Sequence, residues 1–495
     1  MEKELREFLE CGQLPYGFLR AYCKDCGRSL LVPFSCKRRG ACCSCGARRM
    51  CNNAAHLVDH VLPNVPVRQF VLSVAFELRW LLAARADAFG DMTRIFIQEV
   101  FRWQREQARR TGLKNVRSGG LAMQHRAGSS INLNPHIHAA IPDGVFLRPH
   151  PKARAEFHRL PEPTPDDLQE IAFTIHQRFL GWLRRNGLLK TDHDSSHESR
   201  ELSPLEAFAQ GALGLGQLVK VKGTPRDPNQ TDWDEERFDR GSGSRRAGEY
   251  HGFSLYAGEA IPATDGDSRE RLLRYCLRPP LSLDRLSRWR DGSIVYRVKA
   301  TRHGNETQRV MQPMQFMARL VALIPPPYRP LLRYFGVFAP HSSWRSSVVP
   351  ELAEPAGEDS KHEHAHAAVP PTTASEQTPA QSALLQSGAS DVGAAMVTVP
   401  AAPSEHGKSN WGDDDSEPPP SRPRWYIDWA ALLRRVYDVD ALACPCGGRL
   451  RFVALVTEEE TARTMLQGMG LPADPPPIAR TRSPAFDPDP LPNWD

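Results

Sequence analysis

The chain has no run of about 18 apolar residues, so no segment can cross a bilayer as a helix. Its first residues, Met1-Glu2-Lys3-Glu4-Leu5, are acidic and polar, with no apolar core behind them. That disfavours a secretory leader, and a cytoplasmic protein with no membrane partner is expected. No G-x-x-x-x-G-K-[S/T] loop is present, so nothing in the sequence cradles a nucleotide in that way. Between residues 351 and 423 aromatic residues almost vanish, while Pro, Ala, Ser and acids accumulate. Such a composition cannot bury a core, and a disordered linker is expected there. His362, His364 and His366 fall within it, where nothing would set the geometry of a metal site.

The chain has 495 residues, 43 of them proline, enough for two to four domains. Its net charge of +5 hides a division. Residues 351–423 carry 12 acids against 3 bases, a net of −9, so the remainder carries +14. An excess of that size favours a polyanionic partner such as nucleic acid, although a solvated basic surface would give the same count. The cysteines are uneven too: eight of 11 fall between Cys11 and Cys51. In a cytosolic protein such a cluster marks a metal site more often than disulfides.

Periodicity outlines an α+β chain. Residues 52–64 predict a short helix, and Gln69 to Phe76 a strand buried on both faces. Residues 77–111 predict one or two helices, and 119–146 a hairpin with strands at 121–125 and 131–141. The helix over 164–186 has an N-cap in Thr164, Pro165 at its first position and two acids after it. A long loop is expected over 222–250, an extended segment over 252–262, a helix over 268–277 and another over 315–324. Order returns at 424–475 with helix, strand and helix, before a loose tail at 476–495.

Three groups of residues could carry chemistry. Cys23-Lys24-Asp25-Cys26 and Cys42-Cys43-Ser44-Cys45 are C-x-x-C pairs spaced to close a tetrahedral zinc site in a segment too poor in apolar mass to fold alone. Cys36 and Cys43 could exchange into that shell, whereas Cys11 and Cys51 read as bystanders. Lys37, Arg38, Arg39, Arg48 and Arg49 suit a module that grips phosphates. His136-Ile137-His138 would project two imidazoles from one face of a strand, where they could hold a divalent metal. Tyr275 and Arg278 share a face of a short helix, with Arg274 beside them. A tyrosine hydroxyl, with a pKa of about 10, is a poor nucleophile unless the phosphate it attacks is polarised. Each group alone also has an ordinary structural explanation.

Taken together they form a known order: a zinc module, an apolar strand, an H-hydrophobe-H strand, and a helix-borne Tyr in a basic setting. That order resembles the HUH single-strand endonucleases. Longer stretches narrow the resemblance: Phe34-Ser35-Cys36-Lys37-Arg38-Arg39-Gly40, residues 54–63, residues 67–73, Leu133-Asn134-Pro135-His136-Ile137-His138, Arg274-Tyr275-Cys276-Leu277-Arg278-Pro279-Pro280, Phe338-Ala339-Pro340-His341 and residues 443–450. They are similar to the rolling-circle transposases of the insertion sequence 91 and common-region class, over nearly the whole chain except the linker and the tail.

The resemblance implies an N-terminal zinc-ribbon module at 1–64 and an HUH nuclease domain at 65–345, built on a central antiparallel sheet with helices on one side. The linker at 351–423 and a small C-terminal α/β domain at 424–475 follow. It implies structural Zn²⁺ on Cys23, Cys26, Cys42 and Cys45, and catalytic Mg²⁺ or Mn²⁺ on His136 and His138, with Gln124 or His125 as third ligand. Tyr275 maps onto the nucleophile, with Arg278 beside it, and the partners are single-stranded element ends, target DNA and host replication proteins. Position 271 is Arg271, where two-tyrosine members carry a second Tyr, so a single-tyrosine version is expected. Cys43 stands where the family has Pro, which leaves the choice of ligand in that pair open; Cys444 and Cys446 form only a C-x-C with no second pair nearby, so that pair is not assigned a metal. Two other classes share features with this reading: a catalytically silent zinc-dependent DNA-binding protein, and another strand-transfer enzyme such as a relaxase or a metal-free tyrosine recombinase.

Overall fold

The computed structural model describes residues 2–128, 131–188, 246–298, 308–326, 328–350, 397–399 and 427–476. The linker, apart from 397–399, lies outside the described residues, as do most of the 222–250 loop and the tail from 477 onward. No helix among the described residues is long and apolar enough to cross a membrane.

In chain order the strands are β1 (Phe18–Cys23), β2 (Ser29–Pro33), β3 (Val67–Ser73), β4 (Gly119–Ala127), β5 (Leu133–Pro142), β6 (Gly144–Leu147), β7 (Glu156–Arg159), β8 (Ala247–Tyr250) and β9 (Phe253–Ile261). They continue with β10 (Leu286–Arg288), β11 (Ile294–Arg297), β12 (Gln308–Met311), β13 (Leu332–Gly336), β14 (Val397–Val399) and β15 (Leu450–Val456). The helices are α1 (Glu2–Glu10), α2 (Cys43–His60), α3 (Phe76–Ala84), α4 (Ala86–Arg110), α5 (Pro165–Arg185), α6 (Gly266–Leu277), α7 (Pro313–Leu323), α8 (Arg345–Val348), α9 (Trp429–Tyr437) and α10 (Glu459–Gly468).

The central sheet has six strands in the order β13-β4-β5-β3-β9-β8, every neighbouring pair antiparallel. β3 and β5 pair at its centre, as their continuous apolar character predicts. Helices cover both faces rather than the expected one. Phe70, Leu72, Ala122, Ile137, Ala139 and Ile141 pack under α4 and α5. Val67, Leu121, Met123 and Ala140 face the other way, against Ala54 and Leu57 of α2 and Leu273 and Cys276 of α6. A strand's period of two therefore splits β5 between two cores, which is why no simple polar alternation marks it.

Helix ends follow local chemistry. Thr164 Oγ1 accepts from the Asp167 N–H, and the Asp167 carboxylate accepts from the Thr164 N–H, a capping box that starts α5. α6 starts at Asp265, whose carboxylate accepts from the Ser268 N–H. It ends because Arg278 precedes Pro279 and is forced extended, at φ −54° and ψ 144°.

One buried ion pair locks the sheet. Arg68 on β3 donates from Nε to Asp143 at 2.7 Å, from Nη1 to the Gly258 carbonyl at 2.6 Å and from Nη2 to Glu162 at 3.1 Å. Arg68→Met would leave the Asp143 carboxylate buried beside only a half-solvated Arg159. A loss of about 3–5 kcal/mol is expected, read as a lowered urea midpoint; an unchanged midpoint would contradict the pairing.

The N-terminal module is a second sheet, β14-β2-β1-β15. The segment 424–475, expected to fold as a small domain of its own, instead supplies β15, which pairs antiparallel with β1 from Phe18↔Val456 to Cys23↔Leu450. Its α10 buries Ala462 and Leu466 against Phe18 and Leu31. Within the expected linker, Val397–Val399 pairs with Ser29–Leu31.

Candidate functional site

The antiparallel register between β4 and β5 decides which side chains meet. His125 lies opposite His136, and Met123 opposite His138. Directly opposed residues share a face, so His125, His136 and His138 converge. Their ring centroids lie 4.6 to 5.0 Å apart. Gln124, by contrast, lies opposite Ile137 and points to the α4 side. Its amide donates to the Phe89 carbonyl at 3.0 Å and to Thr93 Oγ1 at 2.6 Å. Gln124 is thus removed from the candidate ligands and His125 takes the place.

Each imidazole has one nitrogen engaged away from the others. His136 Nδ1–H donates to the Asn134 carbonyl at 2.7 Å, which leaves Nε2 as the lone pair. His125 Nε2–H donates to the Cys276 carbonyl at 2.6 Å, which leaves Nδ1. His138 Nδ1 lies 2.9 Å from the Gln69 amide, so Nε2 faces the cluster. The ligand atoms of the three residues all lie within 4.8 Å of one another. Burial holds all three below the ordinary histidine range, His125 at about 4, and the nearby Arg278 charge lowers them further. They are neutral near pH 7, the state a divalent metal requires, and the donor set fits one.

α6 brings Tyr275 to this cluster. The Tyr275 ring stands edge-on to His138, with centroids 5.6 Å apart. The Arg278 guanidinium lies 4.5 Å from the Tyr275 ring centroid. α6 is held from several sides. The Cys276 carbonyl accepts a hydrogen bond from His125 Nε2–H. Arg269 donates to the Leu62 and Pro63 carbonyls in the turn that follows α2. A Cβ added at Gly46 would lie 2.9 Å from Pro279 Cβ, so α2 and the end of α6 touch closely. A cavity of about 280 Å³ opens beside the cluster, lined by His125, Arg278, Arg39, Arg49 and Asn53 among others.

The cysteines form two clusters where one was expected. Cys42 and Cys45 meet Cys11 and Cys36; Cys23 and Cys26 meet Cys444 and Cys446. The sulfur separations are 3.6 Å for Cys11–Cys42, 3.7 Å for Cys11–Cys45 and 3.6 Å for Cys36–Cys45. They are 3.6 Å for Cys23–Cys446 and 3.5 Å for Cys26–Cys444. Four thiolates at about 2.3 Å from a tetrahedral zinc are about 3.75 Å apart, whereas a disulfide would need about 2.05 Å. The Cys36 and Lys37 N–H groups point at the Cys11 and Cys45 sulfurs, as in a tight metal knuckle. Burial pushes the Cys36 thiol up to about 12, whereas hydrogen bonds from Cys11 and Cys42 hold the Cys45 thiol well below its ordinary range. Cys43 is buried in a separate core with Tyr296 instead of in either shell.

The basic residues divide. Arg38 pairs with Glu7, Arg39 donates to the Pro326 and Arg329 carbonyls, and Arg49 to the Lys37 carbonyl. These three brace the zinc module. Lys37 is exposed, and Arg48 and Arg274 are half-buried.

Residues 1–74 match the family described as "Transposase zinc-binding domain", of the insertion sequence 91 type, and residues 119–346 match the family described as "Putative transposase". No curated protein and no solved structure matches the chain.

Proposed function

Given that this chain belongs to the insertion sequence 91 family of transposases, whose substrate is DNA and whose N-terminal domain binds Zn²⁺, we propose that it nicks and rejoins single-stranded DNA at the ends of a mobile element through a 5′-phosphotyrosine on Tyr275. The observation that carries this reading is the edge contact between Tyr275 and the three-histidine face, 5.6 Å between ring centroids.

His125 Nδ1, His136 Nε2 and His138 Nε2 would hold Mg²⁺ or Mn²⁺, which supplies Lewis-acid withdrawal of charge from the scissile phosphate. The Tyr275 hydroxyl oxygen attacks phosphorus in line, and the bond from phosphorus to the 3′ oxygen breaks. The phenolic proton leaves and the 3′ oxygen gains one, so the products are a 5′-phosphotyrosine and a free 3′-hydroxyl. Arg278, 4.5 Å from the Tyr275 ring, places positive charge where negative charge builds. Attack by a 3′-hydroxyl on the tyrosyl ester reverses the step and joins strands. The phosphodiester energy is retained, so no ATP is required. Such a cycle suits a protein working on DNA in the cytoplasm with the host replication machinery, its residues 1–64 and 65–345 serving as grip and nuclease.

The test is incubation of the full chain with single-stranded element ends and Mg²⁺, followed by a denaturing gel. A labelled strand should migrate with the protein and disappear with a chelator. A 3′-phosphotyrosine formed in chelator would mean a recombinase instead. Salt sensitivity gives a further expectation. Lys37, Arg48 and Arg274 are the bases of this set that the bracing contacts leave for phosphates, so affinity for single strands should fall at least about tenfold between about 50 and 200 mM salt. A flat response, measured by fluorescence anisotropy, would remove DNA from this surface.

A further inference from the structure

We infer that Cys23, Cys26, Cys444 and Cys446 form a second, split zinc site that clasps the C-terminal segment to the N-terminal module, and through it to the helix that carries Tyr275. The matched zinc-binding domain ends at residue 74, so it holds only half of this ligand set. The other half lies more than 400 residues away along the chain.

Two knuckles build the site. In one, the Gly27 N–H bonds to the Cys23 carbonyl, with Gly27 at φ 72°. In the other, the Gly447 N–H bonds to the Cys444 carbonyl, with Gly447 at φ 90°. Both turns need the left-handed backbone that glycine adopts without strain. The knuckles face one another so closely that a Cβ on Gly448 would lie 2.0 Å from Asp25 Oδ2 and 3.1 Å from Cys23 Sγ. The cross-knuckle sulfur distances, 3.6 and 3.5 Å, suit a tetrahedral thiolate shell. Cys23 and Cys444 are buried with Ala21, Leu30 and Leu450, and Val32 and Leu442 pack against them. The ion would add a fixed point at the end of the β1–β15 ladder, beyond what that ladder and the α10 core supply.

The clasp has a second anchor. Arg435 on α9 binds Asp59 of α2 at 2.6 Å and Glu270 of α6 at 2.7 Å. Glu270 lies five positions before Tyr275 on the same helix. The segment is thus fastened to the zinc module by the cysteines and to the α2–α6 pair by Arg435.

The test loads chelator-stripped full chain with Co²⁺ and reads the sulfur-to-cobalt charge-transfer band, which cobalt on imidazoles lacks. Two tetrathiolate equivalents are expected in the wild type. One is expected in Cys444→Ser/Cys446→Ser, and one in Cys11→Ser/Cys36→Ser. A single tetrathiolate equivalent in the wild type overturns the proposal, even if a variant fails to fold. So does retention of both equivalents in the Cys444→Ser/Cys446→Ser variant. The clasp itself is read by placing a protease recognition sequence after Ser409 and cutting the zinc-loaded protein. The C-terminal fragment should stay bound with zinc and dissociate at least tenfold faster once zinc is stripped; equal retention in both states overturns the clasp.

Discussion

Tyr275→Phe is expected to abolish the covalent protein–DNA adduct, by at least about 10³-fold, while fold and DNA affinity stay as they are. The substitution removes one hydroxyl and no carbon, so it opens no cavity. If Tyr275 were only structural, it would cost about 1 kcal/mol through a lost hydrogen bond and leave activity intact. Two other tyrosines lie away from the histidines. Tyr296 is buried under Arg285 in a different core. Tyr250 packs against Phe173 and His176 of α5, on the far side of the sheet from the histidines. The adduct assay is run with wild type and variant at equal DNA occupancy, set by anisotropy. Undiminished adduct in the Phe variant would move the nucleophile elsewhere and undo the proposed chemistry.

How much of this was legible in the sequence depended on how local the signal was. α5 could be read almost to the residue, because Thr164, Pro165 and Asp167 are start signals within one turn. The pairing of His136 with His138 needed only the period of a strand. The end of α6 at Pro279 needed only the restriction that proline places on the residue before it. What failed was long-range. The cluster of Cys23, Cys26, Cys444 and Cys446 depends on β1 pairing with β15, a closure across more than 400 residues that no spacing rule encodes. Cys11 lacks a local partner in sequence and joins Cys36, Cys42 and Cys45 only once α1 and α2 are in place. The sequence did hold one cue, the Cys444-Pro445-Cys446-Gly447 turn, which mirrors Cys23 to Gly27 in ending on a left-handed glycine. Similarly, the basic run at 37–49 looked uniform as letters, yet Glu7 and a set of backbone carbonyls engage three of its members.

The proposed third metal ligand turns on strand register, and the expected results for Gln124 and His125 are therefore opposite. A shift of one residue in the β4–β5 pairing would exchange the faces of the two side chains. In the observed register His125 opposes His136, and Gln124 opposes Ile137. Gln124→Leu removes an amide bonded to Phe89 and Thr93. It should lower stability by about 1–2 kcal/mol and leave the Mg²⁺ or Mn²⁺ dependence of adduct formation unmoved. His125→Ala removes a donor nitrogen and should weaken cation binding at least about tenfold, with cleavage at fixed metal falling by about 10² or more. His125 also ties α6 to the sheet through the Cys276 carbonyl, so a loss of activity alone would not separate the two roles. The separating measurement is a Mn²⁺ titration of adduct formation. Loss of a ligand shifts the half-saturating concentration upward, and added metal restores part of the rate. Loss of the tether alone lowers the plateau and leaves the midpoint in place. A midpoint that moves in Gln124→Leu but not in His125→Ala would mean that the site uses the other face of β4.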